Sequence, residues 1–138
     1  GHADVVQLLC SRGASATSTR ENEWSCLQTA SYAGSAEVLA CLVESSANVN
    51  AVFNPPGGGE SNSFAPIHLA AYNGFGPTLT ELVRLGAQVN LPMGNGWTPL
   101  MIAAAQGHVM AVTALLDCDA DIDFQRSVDG LTALMTAA

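Results

Sequence analysis

Apolar residues along this chain recur in short clusters at helical spacing. Val5, Val6, Leu9 and Cys10 stand at i, i+1, i+4 and i+5, one buried stripe of a helix. The stripe returns as Val38, Leu39, Leu42 and Val43, as Leu79, Leu82 and Val83, and as Val112, Leu115 and Leu116. Each predicts a short amphipathic helix. Gly13 and Gly86 follow their stripes where a helix C-terminus needs a left-handed residue. Asp119 stands at the same place, and Asp tolerates that conformation. A second kind of segment precedes the later stripes. Thr98 before Pro99 predicts an N-cap with proline at the first helical position, where its missing N–H costs nothing. Small residues follow: Ala70 and Ala71, Ala103 and Ala104, Ala137 and Ala138. They predict helices that neighbours approach closely, with Leu and Val filling between layers.

These segments are copies of one pattern. Trp97-Thr98-Pro99-Leu100 runs on to Gly107-His108, and Phe64-Ala65-Pro66-Ile67-His68 runs on to Gly74. Trp24-Ser25-Cys26-Leu27-Gln28 runs on to Gly34, and a last copy starts at Gly130-Leu131-Thr132. Gly1, Gly34, Gly74 and Gly107 are spaced by 33, 40 and 33 residues, and Ala14, Ala47, Ala87 and Ala120 give the same spacings. The longer middle interval predicts an insertion between Asn50 and Phe64, where Pro55-Pro56-Gly57-Gly58-Gly59 reads as a loop. The loop from Ala51 to Ser63 is expected to be the most mobile part of the chain.

A T-P-L-H-x-A signature with a period of about 33 residues resembles the ankyrin repeats. The resemblance covers essentially all of the sequence. It implies an all-α solenoid of stacked helix-turn-helix pairs joined by β-hairpin loops. The copies divide as residues 1–17 (the second half of a repeat), 18–50, 51–90 with the insertion, 91–123, and 124–138 as the start of another. Repeats bury their apolar faces on each other, and arrays end in polar caps. Neither end is polar enough to be one. The chain is therefore expected to be part of a longer polypeptide with further repeats on both sides, and to be marginally soluble alone. Residues 51–90 read as the weak layer. Ala65 lacks the capping hydroxyl, which leaves His68 without the threonine partner that the family gives it. Glu81 shares a column with Leu8, Cys41 and Ala114.

Charge narrows the partner. Four basic residues, all arginine, stand against twelve acidic ones, a net charge of −8. Nucleic acid is excluded, since phosphate contacts need Lys or Arg. A neutral or basic protein or peptide is favoured. No run of apolar residues approaches the ~18 of a membrane span, and Gly1-His2-Ala3-Asp4 does not open a signal peptide. The chain is expected to be intracellular, in the cytoplasm.

Chemistry is sparse. Cys10, Cys26, Cys41 and Cys118 form no C-x-x-C pair, and no His stands at zinc-ligand spacing. They read as small core or flank residues in a reducing compartment. Asp117, Asp119, Asp121 and Asp123 alternate like a calcium loop, but Ile122 and Val128 hold the places of its glycine and glutamate. The glycine run precedes no G-K-[ST], and no nucleophile motif is present. No cofactor, metal or catalysis is expected.

One column stands out. The residue before the T-P position is Trp24, Phe64, Trp97 and Leu131. In ankyrin repeats this position faces the concave surface where hairpin meets inner helix. A second column, after the small residues, holds Tyr32, Tyr72 and Ala105. The resemblance implies a groove with two aromatic rims at opposite ends of the inner helices. Glu21, Glu23 and Asp129 would make its surroundings acidic. Trp24, Tyr32, Phe64, Tyr72, Trp97 and Leu131 are the expected anchors of a partner carrying apolar residues and some Lys or Arg. A second reading makes the array an architectural spacer or packing element with no groove ligand.

Overall fold

The computed structural model describes residues 2–17, 24–55 and 63–138. Among them are eight helices: α1 (Ala3–Ser11), α2 (Cys26–Tyr32), α3 (Ala36–Glu44), α4 (Pro66–Tyr72), α5 (Gly76–Arg84), α6 (Pro99–Ala105), α7 (Val109–Asp117) and α8 (Ala133–Ala137). They form two rows. α2, α4, α6 and α8 stack in one, and α1, α3, α5 and α7 in the other. Helix pairs α2–α3, α4–α5 and α6–α7 join the rows. The fold is the all-α solenoid that the repeats imply. Among the described residues, three loops are tied across their bases as hairpins are. Phe53 and Phe64 form an antiparallel bridge at 2.8 and 3.0 Å. Met93 N–H donates to the Trp97 carbonyl at 2.8 Å, and Arg126 N–H to the Leu131 carbonyl at 2.9 Å. Residues 57–61 of the insertion, the centre of the expected mobile loop, lie outside the described residues.

The stripes pack as their spacing requires. Leu39, Leu79, Leu82 and Leu115 are fully buried between the rows, together with Leu27, Ile67 and Met101 from the inner helices. Asp119 takes φ +61° and Ser46 φ +73°, in the column of Gly13 and Gly86. Stacking also uses the column that closes each inner helix. A Cβ on Gly34 would stand 2.8 Å from the Phe75 ring, and one on Gly74 would stand 2.7 Å from the His108 ring. Phe75 and His108, which open their outer helices, are thus each seated on the glycine of the preceding copy. Asn73 Nδ2 donates to the Tyr32 carbonyl at 3.0 Å, and His108 Nε2 lies 2.9 Å from the Tyr72 carbonyl.

Both features that suggested a weak layer at residues 51–90 have a local compensation in the structure. Ala65 has no hydroxyl, but its N–H donates to Nδ1 of His68 at 2.9 Å. That fixes the proton on Nε2, which reaches the Leu91 carbonyl of the next hairpin at 2.7 Å. The imidazole serves the helix start and the neighbouring loop together. Every residue from Ala65 to Ala71 is buried. Glu81 is no burden either. It turns along α5 to Arg84, with Nε to Oε2 at 2.8 Å and Nη2 to Oε1 at 2.6 Å. Gln28 does in α2 what His68 does in α4. Its Oε1 accepts from Ser25 N–H at 2.8 Å, and its Nε2 points at the Ala51 carbonyl at 3.5 Å.

Candidate functional site

The inner helices start under the hairpin bases, so the residue before each helix is carried to the concave side. Five of the expected aromatics, Trp24, Tyr32, Phe64, Tyr72 and Trp97, line one concavity of about 500 Å³. They come from three successive copies. Tyr32 and Tyr72 are 46% and 53% exposed, so their rings are open to a partner. Trp24, Phe64 and Trp97 are half-buried, each with part of the ring in the cavity wall.

The two columns do not form separate rims. Trp24 lies edge-to-face on Tyr32, with ring centroids 5.0 Å apart at 65°. It meets Phe64 at 5.8 Å and 83°, and Phe64 rests on Phe53 at 5.5 Å. At α2 these side chains span the short helix and join the two columns. Edge-to-face pairs of this kind add about 0.5–1.5 kcal/mol beyond the burial of their area. The wall is thus preformed. Trp97 stands apart, under the guanidinium of Arg126, whose carbon is 5.5 Å from the ring centroid.

Leu131 does not join the lining. Its backbone closes the next hairpin, its N–H donating to Asp129 Oδ1 at 3.2 Å. The floor is made by residues not singled out in advance: His68, Leu69, Ile102 and Gln106, with Ala105 of the tyrosine column and Met93 and Asn95 from the hairpin before Trp97. The signal for Met93 and Asn95 was their place in that hairpin, just before an aromatic of the groove.

Among the described residues, none that lines the cavity carries a charge. Burial pushes the His68 imidazole down to about 4, against its two backbone contacts, so it is neutral in the groove. The expected acidic surroundings are only partly found. Asp129 is held by Arg126, which keeps its carboxyl below the usual range and cancels its charge locally. Glu21 and Glu23 lie outside the described residues. Such a cavity can desolvate apolar side chains and offers indole N–H and phenol O–H groups at its edge.

Relatives agree with this architecture. The family profile of ankyrin repeats (3 copies) matches residues 1–92 and 67–138. The chain is 55% identical over 49 residues to ankyrin repeat and SAM domain-containing protein 6 of Mus musculus, covering 36% of this chain and 6% of that protein. It is 32% identical over 113 residues to Rabankyrin-5 of Homo sapiens, covering 75% of this chain and 10% of that protein. It is 29% identical over 122 residues to ankyrin repeat protein nuc-2 of Neurospora crassa, covering 87% and 11%. The chain thus spans about a tenth or less of these relatives. Matched along its whole length by the profile, and built of stacked helix pairs, the chain belongs to the ankyrin-repeat family.

Proposed function

We propose that this chain is a protein-interaction module that holds an extended segment of a partner protein in the groove bounded by Trp24, Tyr32, Phe64, Tyr72 and Trp97. One observation carries the reading: five aromatics, spread over more than seventy residues of sequence, line a single open concavity. Ankyrin repeats are in general non-catalytic modules for protein interaction, which supports the class. The uncharged lining supports apolar anchors in the partner. The net charge of −8 favours basic flanks through the rate of encounter.

The test is a selection of random phage-displayed peptides on the protein, followed by affinity measurements on Trp97→Ala and Glu37→Ala. Loss of a hot spot costs about 2 kcal/mol, roughly thirtyfold in affinity. Glu37, exposed on α3, should be indifferent. An architectural spacer forecasts otherwise: no enriched motif, or peptides that bind the folded Trp97→Ala variant as well as the parent.

A further inference from the structure

Trp97 is held unlike Trp24, Tyr32 and Phe64. Trp24, Tyr32 and Phe64 support one another, whereas Trp97 carries a cation. Arg126 comes from the following hairpin and takes no part in lining the cavity, while Trp97 does. The guanidinium therefore lies against the indole from outside. Three features fix it there. Nε donates to Asp129 Oδ1 at 2.8 Å and Nη2 pairs with Oδ2, a two-pronged clasp. The stem crosses Gly96, where a Cβ would stand 2.8 Å from Arg126 Cγ. The backbone is tied at both ends, by Arg126 N–H to the Leu131 carbonyl and by Gly130 N–H to the Arg126 carbonyl at 2.7 Å. The side chain is only 16% exposed. The Trp97 backbone is likewise fixed, its N–H donating to Asn95 Oδ1 at 3.2 Å and its carbonyl accepting from Met93.

We propose that Arg126 is a positioning residue of the groove: clasped by Asp129, it backs the Trp97 indole and holds it as the end wall against which a neutral apolar anchor of the partner packs. This rests on the reading of the cavity as a binding groove. The anchor is neutral because Trp97 already has a cation on its ring, and the described lining residues offer no carboxylate to a second. Lysine could not replace Arg126, since an ammonium keeps the charge but loses the planar fork.

The sequence contains two tryptophans, so Trp24→Phe leaves Trp97 as the sole indole. In that background, Arg126→Met should speed and widen the anisotropy decay of Trp97, with Arg126→Lys intermediate. In the otherwise native chain, the neutral fluorophore N-phenyl-1-naphthylamine serves as the probe. Arg126→Met should weaken its binding about fivefold, as loss of a partly covered cation–π contact implies. A role confined to stability would lower the urea midpoint and leave the folded-state anisotropy and probe affinity unchanged, which overturns the proposal. Should Arg126→Met not fold, Asp129→Asn, which opens the clasp at an exposed residue, takes its place with the same criteria. If Trp97→Ala loses the probe and Arg126→Met does not, the positioning role fails and the groove stands. If the native chain takes up no probe, the groove reading fails, and the anisotropy alone decides whether Arg126 sets the ring.

Discussion

Replacing His68 by glutamine should leave stability near neutral pH almost unchanged and remove much of its decline in mild acid. The imidazole is buried, and its pKa falls from 6.5 to about 4 in the fold. Above pH 6.5 it is neutral in both folded and unfolded chains, and its contribution is complete. As the pH falls below 6.5, the unfolded chain takes up a proton that the folded chain refuses, so stability declines until about pH 4. At 1.36 kcal/mol per unit the full loss is about 3 kcal/mol, and about 2 kcal/mol is gone by pH 5. Glutamine supplies the same acceptor and donor, as Gln28 does in α2 toward Ser25 N–H and the Ala51 carbonyl. His68→Gln should therefore lie within about 1 kcal/mol of the parent at pH 7.5. His68→Ala, which strands the buried Ala65 N–H, should lose at least ~2 kcal/mol there. Urea unfolding of the three proteins at pH 7.5 and pH 5.0, at one salt concentration, measures this. The carboxylates titrate alike in all three, so the difference between parent and His68→Gln isolates the imidazole. Equal losses in those two proteins on going to pH 5.0 would refute the reasoning.

Three further substitutions test the packing. Thr78 is 1% exposed and its Oγ1 has no hydrogen-bond partner, while its column holds Val5 and Val38. Thr78→Val should stabilise by about 1 kcal/mol in urea unfolding, and a loss would show that the hydroxyl is satisfied. Gly74→Ala and Gly107→Ala make a matched pair, with φ +78° and +72°. Both meet the left-handed cost of about 1–2 kcal/mol. Only the Cβ at 74 would also strike the His108 ring, so the first should unfold at clearly lower urea than the second. Similar midpoints would mean that the ring moves aside freely.

Much of this molecule was legible because equal positions in successive copies stack. The stripes at Val38, Leu79 and Leu115 could be read as core from spacing alone, and the aromatic column could be read as a row. Reach across a row could not. Trp24 meets Tyr32 because a large indole spans a seven-residue helix, and residue columns carry no side-chain length. Arg126 escaped notice because its work is done on a neighbour's ring across a glycine, and no column of its own marks it.

What the reading of residues 51–90 overlooked is a compensation that the copies themselves reveal. An inner helix needs its first N–H groups satisfied, and two devices serve: a hydroxyl before the helix, or a polar third residue reaching back. Thr98 caps Met101 N–H at 3.3 Å, and Thr132 caps Met135 N–H at 3.3 Å, each with an apolar third residue. Ala65 with His68 uses only the reverse bond, and Ser25 with Gln28 uses both. Departures from the signature thus exchange one device for the other, and judging each residue against the signature misses the exchange. It follows that capping hydroxyls differ in worth. Thr98→Ala removes the sole side-chain cap of α6 at a residue 1% exposed, and should cost about 1–2 kcal/mol. Ser25→Ala leaves the Gln28 bond to the N-cap amide in place and creates at α2 the arrangement that Ala65 and His68 already use. It should cost under ~1 kcal/mol. Urea unfolding of the two single variants decides it, and a Ser25→Ala loss as large as that of Thr98→Ala would mean that the two devices do not substitute for each other.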